Sequence, residues 1–263
     1  MAMSPRKRAR ISRGIQYALL GVVVVVAAVT ADWPAITDAF FDTAVLAQMV
    51  PELFTVALKN TILYTACAFA FGLVLGLVLA LMRLSSVGPY RWFSTGVIEL
   101  FRGVPALVVF FFFGYGLPIA FAREVPGDTL GSVTVALGLV GAAYMAETIR
   151  AGIQAVPKGQ MEAARSLGMS HSRAMFSVVV PQAFRIILPP LTNELILLTK
   201  DSSLVYVLGL SLSTYELTSF GREQLNELAS VTPLMAIAVA YLLITVPLSI
   251  AVRRMEARSE RAR

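Results

Sequence analysis

The chain has 263 residues, 57% of them apolar and only 14% charged, with a mean hydropathy of +0.74. A soluble domain carries about 25% charged residues, so most of this surface faces lipid. One cysteine excludes an internal disulfide framework and one histidine leaves no His/Cys cluster for a metal. The net charge of +6 is strung between apolar segments rather than gathered on one face, which argues for membrane topology and against nucleic acid.

A spanning helix takes ~20 apolar residues to cross ~30 Å of hydrocarbon. Six segments qualify, at about 15–31, 54–82, 93–120, 129–149, 184–208 and 232–252. The chain therefore reads as an all-α integral membrane protein with six transmembrane helices. Residues 1–50 hold a basic tail, a first helix and a short amphipathic helix on the outer surface, marked by Ala35, Ile36, Ala39, Phe40, Leu46 and Met49. Residues 51–256 make one membrane domain, and 257–263 are a second basic tail. The first segment has a rival reading: a basic stretch, an apolar run and Val29-Thr30-Ala31 resemble a cleavable signal peptide. The run exceeds the usual signal core of ~7–15 residues, which favours a retained helix.

Lysine and arginine set the orientation. With the N-terminus in the cytoplasm, Arg83, Arg91, Arg150, Lys158, Arg165, Arg173, Arg185, Arg253 and Arg254 fall inside, with the basic residues of both tails. The outer loops keep only Arg123 and Arg222, and both termini are cytoplasmic. Gly72 and Gly76 are spaced for close helix packing, as at a dimer seam.

Residues 157–182 are too polar to span. Pro157 opens a helix carrying Met161, Ala164 and Leu167 at helical spacing, and Gly168 supplies the left-handed residue that ends it. Ser170 then caps a second short helix with Ala174, Met175, Val178 and Val179 on one face, and Pro181 turns the chain before the fifth span. Helices of about nine residues do not persist alone in water, so their apolar faces dock on something. Their own bundle and a soluble partner are equally good hosts by pattern.

The series Glu162-Ala163-Ala164, three residues, Gly168, nine residues, Val178-x-Val180-Pro181 resembles the EAA motif of ABC-importer permeases. "IELFRGVPALVVFFFFGYGLP", "AAYMAETIRAGIQAVPKGQMEAARSLGMS", "PQAFRIILPPLTNELILLTKDSSL" and "YLLITVPLSIAVRRME" are similar to the polar amino-acid uptake branch of that family. Val180 replaces the usual leucine and Ser202 stands where threonine is common, both mild departures. The resemblance implies a type I ABC importer transmembrane domain with a five-helix core, here extended by one N-terminal helix, in the bacterial cytoplasmic membrane. It implies coupling to a cytoplasmic ATPase dimer through Gly159, Glu162, Ala163, Ala164, Gly168, His171, Val178 and Pro181. It further implies an extracytoplasmic solute-binding protein, a second or related permease, and an amino-acid substrate, glutamate or glutamine being favoured. ATP and magnesium would sit on the ATPase. This chain has no G-x-x-x-x-G-K-[ST] phosphate loop, and no cofactor of its own or catalytic site is expected.

Charges inside a membrane are costly and mark function by default. Glu99 and Arg102 lie one turn apart on the third span, followed by Gly103 and Pro105, where a helix opens. Asn193, Glu194, Lys200 and Asp201 follow a Pro189-Pro190 break on the fifth. These six are the candidates for translocation path or gate. Glu147 and Arg150, near the inner surface, are the candidate structural ion pair. An ion-coupled secondary transporter is the alternative, but it predicts an inverted repeat that the two halves do not show.

Overall fold

The computed structural model describes residues 5–123 and 125–261, and all its regular elements are helical among the described residues. The ends of both basic tails, residues 1–4 and 262–263, lie outside the described residues. α1 (Pro5–Thr30) is apolar on every side from Tyr17 to Val29 and none of its spanning window is buried, as suits a helix solvated by lipid.

The expected single amphipathic helix is two. Asp32 caps α2 (Trp33–Phe40), accepting from the Ala35 N–H, and Asp42 caps α3 (Thr43–Glu52), accepting from Ala44 and Val45. Each aspartate satisfies helix-start N–H groups, so the second one restarts the helix after Phe41. Val45 and Met49 of α3 are buried in a satellite core that also takes in Leu217, Phe220 and Ile237.

A π-helical turn, Leu53–Leu58, leads into α4 (Lys59–Leu84), the second span. The third is broken. α5 (Gly88–Gly103) stops at extended Val104, and α6 (Ala106–Phe111) starts after Pro105 at 103° to it, continuing through a π turn to α7 (Leu117–Phe121). A residue before proline is pushed out of the helical region, which puts the break at Val104. Five helices are long and apolar enough to span, and the count reaches six when this bent pair is taken as one span.

α8 (Asp128–Gln154) is the axis of the bundle, with twelve of its residues buried. A Cβ on Gly72 would stand 2.9 Å from the Gly138 carbonyl, and one on Gly76 2.9 Å from that of Ala142. The glycine pair is therefore a seam within this chain, between α4 and α8, and not the dimer seam expected.

α9 (Lys158–Ser166) and α10 (His171–Ala174) follow, and α11 (Val180–Asp201) is the fifth span. Two expectations fail here. Pro181 does not turn the chain: a π turn, Met175–Val179, joins α10 to α11, and proline is accepted in the first turn of α11 where its missing N–H costs little. Nor do Pro189 and Pro190 break α11, because packing neighbours carry a proline-containing membrane helix through, and Pro189 is itself buried. A 3-10 segment, Ser202–Leu208, then leads through a loop to α12 (Leu217–Leu228) and α13 (Thr232–Arg261), the last span. Asn60 and Tyr64 of α4 donate to the carbonyls of Ser213, Thr214 and Tyr215, fastening that loop.

Candidate functional site

The charges divide into two groups. At the arginine-rich end of the bundle, Arg83 of α4 donates to Glu147 of α8 at 2.8 Å and lies 3.7 Å from Glu99 of α5. Arg150, one turn along α8, donates through Nε to the same Glu147 oxygen at 3.0 Å and through Nη2 to the other. Two guanidiniums and two carboxylates close a neutral network across three helices. The bridge to Glu99 is its weak arm, since that carboxylate is largely exposed. Glu99 thus turns to Arg83 and not to Arg102 on its own helix.

Arg102 instead lies over the ring of Tyr144 on α8, 5.5 Å from its centroid, and forms no ion pair among the described residues. Beside it, the break at Val104-Pro105 opens a cavity of about 410 Å³ between α5, α6, α8 and α11. Its polar lining is Arg102, Tyr144, Glu194 and Asp201, with Val140, Leu197 and Leu198 among its apolar walls. That size lies within the ~300–1,000 Å³ of small-ligand sites. Glu194 and Asp201 are seven residues apart, two turns of α11, and so share a face. Among the described residues neither accepts a hydrogen bond nor forms an ion pair. Asn193 and Lys200 are exposed on the same helix and do not line the cavity. Of the six intramembrane candidates, the structure therefore brings three together and leaves three apart. Tyr144 escaped the sequence reading, where it is one aromatic in an apolar run with no charge to mark it.

The polar segment between α8 and α11 is built as a two-sided platform. Gly168, at φ +84°, closes α9: its N–H donates to Arg165 and that of Met169 reaches back to Ala164, satisfying the last carbonyls. Ser170 caps α10 through the Arg173 N–H. Ala164, Ala174 and Val179 are buried, and Met161 and Met175 pack on the main core. The other side keeps Gly159, Glu162, Ala163, His171 and Pro181 exposed, together with Leu167 at 85% and Phe176 at 73% of full exposure. Val178 lies between the two sides, half-buried. The inner faces dock on the chain's own bundle, and an apolar outer surface remains.

Residues 72–261 match the family described as binding-protein-dependent transport system inner membrane component. The chain belongs to that family. The match spans the platform, the cavity and the charge network alike. Probable glutamine ABC transporter permease protein GlnM of Bacillus subtilis (strain 168) is 40% identical over 204 residues, covering 77% of this chain and 91% of that one. Glutamate/aspartate import permease protein GltK of Escherichia coli O157:H7 is 39% identical over 177 residues, 65% of this chain and 78% of the relative. A crystal structure described as an amino acid ABC transporter with histidines superposes with a TM-score of 0.74 at 36% identity, over 82% of this chain and 98% of that one. Membership in a permease family makes this chain a transport component, and the ion-coupled alternative is not favoured.

Proposed function

We propose that this chain is the membrane-spanning permease subunit of an ATP-driven, binding-protein-dependent importer of polar amino acids. The observation that carries the reading is the platform at residues 158–179: its inner faces are packed, its cap is closed, and Leu167 and Phe176 stand bare on its outer side. A cytoplasmic ABC ATPase dimer is the partner that would cover it. ATP and magnesium belong to that partner, and the platform passes its closure into α8 and α11. An extracytoplasmic binding protein delivers the amino acid at the opposite face. Both termini of the chain lie in the cytoplasm, on the side rich in lysine and arginine.

The cavity between α5, α8 and α11 is the candidate stopping point for the amino acid. Arg102 is placed for a carboxylate, and Glu194 and Asp201 for an ammonium. Exposed Lys200 and Asn193 point to a polar surface beyond this chain, as a second permease copy or a related permease provides. Glu99, Glu147 and Arg150 belong instead to the network that ties α4, α5 and α8 at the cytoplasmic end. ATPase closure supplies the differential binding of inward and outward states that any such switch requires.

The test is uptake of labelled amino acids into liposomes holding the permease, its ATPase and its binding protein. Accumulation should require ATP and all the partners. Accumulation by the permease alone overturns the proposal.

A further inference from the structure

We infer that Glu216 is a positioning residue for transport: it fixes α12 as the brace that closes the outer end of the pathway. The inference rests on the reading of the chain as an ATP-driven permease. α12 lies between the fifth and sixth spans, on the face opposite the platform. Among the described residues Glu216 is the one wholly buried charged side chain, at 0% exposure, and it forms no ion pair. Its lone pairs are met by donors instead. One carboxylate oxygen accepts from the N–H and the hydroxyl of Ser219, both at 2.7 Å. The other accepts from the Thr218 N–H and, at 3.3 Å, from the Tyr241 hydroxyl of α13. A buried anion persists only where such donors converge on it.

Capping alone does not account for a glutamate here. Preferred caps are short, and Asp32, Asp42 and Ser170 serve as caps elsewhere in the chain. The extra methylene of Glu216 carries its carboxylate to Tyr241, so one group both starts α12 and ties it to the last span. α4 holds the same point: Thr61 accepts from the Leu217 N–H at 3.0 Å, beside the loop that Asn60 and Tyr64 fasten.

What α12 is held for stands further along it. Arg222 lies over Tyr206, 4.5 Å from the ring centroid. Tyr206 belongs to the 3-10 segment Ser202–Leu208, which continues directly from Asp201 at the cavity and leads to the outer loop. The π turn after α6 grips that segment too: the Tyr115 hydroxyl donates to the Val207 carbonyl at 2.6 Å. Opening the cavity outward moves the segment off α12, so the Arg222 contact stabilises the closed state alone. An exposed contact between a cation and a ring is modest, and it counts fully only when α12 is already in place. Loosening α12 therefore shifts the equilibrium toward the outward-open state, the one that ATPase closure favours.

The test measures ATP hydrolysis by the purified permease–ATPase complex in lipid nanodiscs, with and without the binding protein, alongside the thermal midpoint. Tyr241→Phe should raise hydrolysis without the binding protein at least about threefold, the shift that one lost buried hydrogen bond brings. Glu216→Asp should keep the parent's thermal midpoint, since the cap survives, yet show the same rise, since aspartate falls short of Tyr241. Glu216→Gln, which weakens the cap as well, should also be less heat-stable. Arg222→Ala should raise hydrolysis alike, and adding Tyr241→Phe to it should change nothing more, because both act through one contact. Hydrolysis at the parent's level in Tyr241→Phe and Glu216→Asp reduces Glu216 to a helix cap and overturns the inference. A rise that adds fully to that of Arg222→Ala overturns it as well. In either case a parent complex that the binding protein stimulates keeps the permease reading intact. A parent that the binding protein does not stimulate overturns the reading and the inference together.

Discussion

The charge network at the arginine-rich end and the cavity deeper in the bundle use the same side chains to opposite ends. In the network each carboxylate meets a guanidinium of this chain, so Arg83, Glu99, Glu147 and Arg150 form a closed set. In the cavity Arg102, Glu194 and Asp201 line one space and, among the described residues, form no ion pair. A satisfied network holds α4, α5 and α8 in register. An unsatisfied one leaves charge to be met by whatever enters. Both groups draw a charged residue from α5 and a partner from α8, so chemistry of residue type does not separate them. What separates them is the break at Val104-Pro105, which ends α5 just after Arg102 and opens a space beside it.

The largest expected effect is on the closed side of that contrast. Glu147→Ala leaves Arg150 without its anion and Arg83 with only the weak arm to Glu99, a loss of about 3 kcal/mol for a broken, partly buried pair. The yield of monodisperse protein in detergent should fall steeply, and Glu147→Gln should recover only part of it. A variant that is folded and merely inactive would move Glu147 to the working side. On the open side, Arg102→Ala should fold as the parent does, because no ion pair is lost, while uptake falls by about 100-fold. That corresponds to about 2.7 kcal/mol of lost substrate interaction. If thermal stability falls with uptake, Arg102 is packing and the contrast collapses.

The spans were legible because apolar runs bounded by arginine have few other interpretations, and the platform because Gly168 and Ser170 are cap residues at the right spacing. The residue types of both charge groups were legible for the same reason: a charge in an apolar run stands out. Their pairing was not. Glu99 and Arg102 are one turn apart, yet Glu99 turns to Arg83 and Arg102 to Tyr144, because α4 and α8 bring those partners from far away in the chain. Local sequence preference understates helix continuity where tertiary packing overrides it, as at Pro181 and at Pro189-Pro190. Gly72 and Gly76 declared close approach correctly, but no local pattern says that the approaching helix is α8 of the same chain.

The platform extends the contrast, since its inner face is closed and its outer face open. Gly168 belongs to the closed part. A Cβ there meets nothing within 4 Å, so only the backbone, at φ +84°, resists substitution. Gly168→Val should cost about 1–2 kcal/mol in the left-handed region and fewer for asparagine, which tolerates it. ATP-driven uptake should fall about tenfold in Gly168→Val and stay near the parent in Gly168→Asn. Equal uptake in both would free the coupling role from that cap.

The smallest effect is expected at Glu162, which is exposed on the open face of α9 and whose side chain, among the described residues, makes no hydrogen bond or ion pair; its backbone carbonyl accepts from the Ser166 hydroxyl. Glu162→Lys therefore removes nothing that holds the permease together. It reverses a charge beside exposed Leu167 on a surface that, by the reading above, an ATPase covers. A rim charge of this kind adjusts association rather than abolishing it, so affinity for the ATPase should fall severalfold at low salt, and the difference from the parent should shrink as salt screens the charge. Permease stability should not move. Co-purification unchanged at every ionic strength would place Glu162 in water and shift the contact to Leu167 and Phe176 alone. Loss of the permease itself would mean that the outer face is as closed as the inner one.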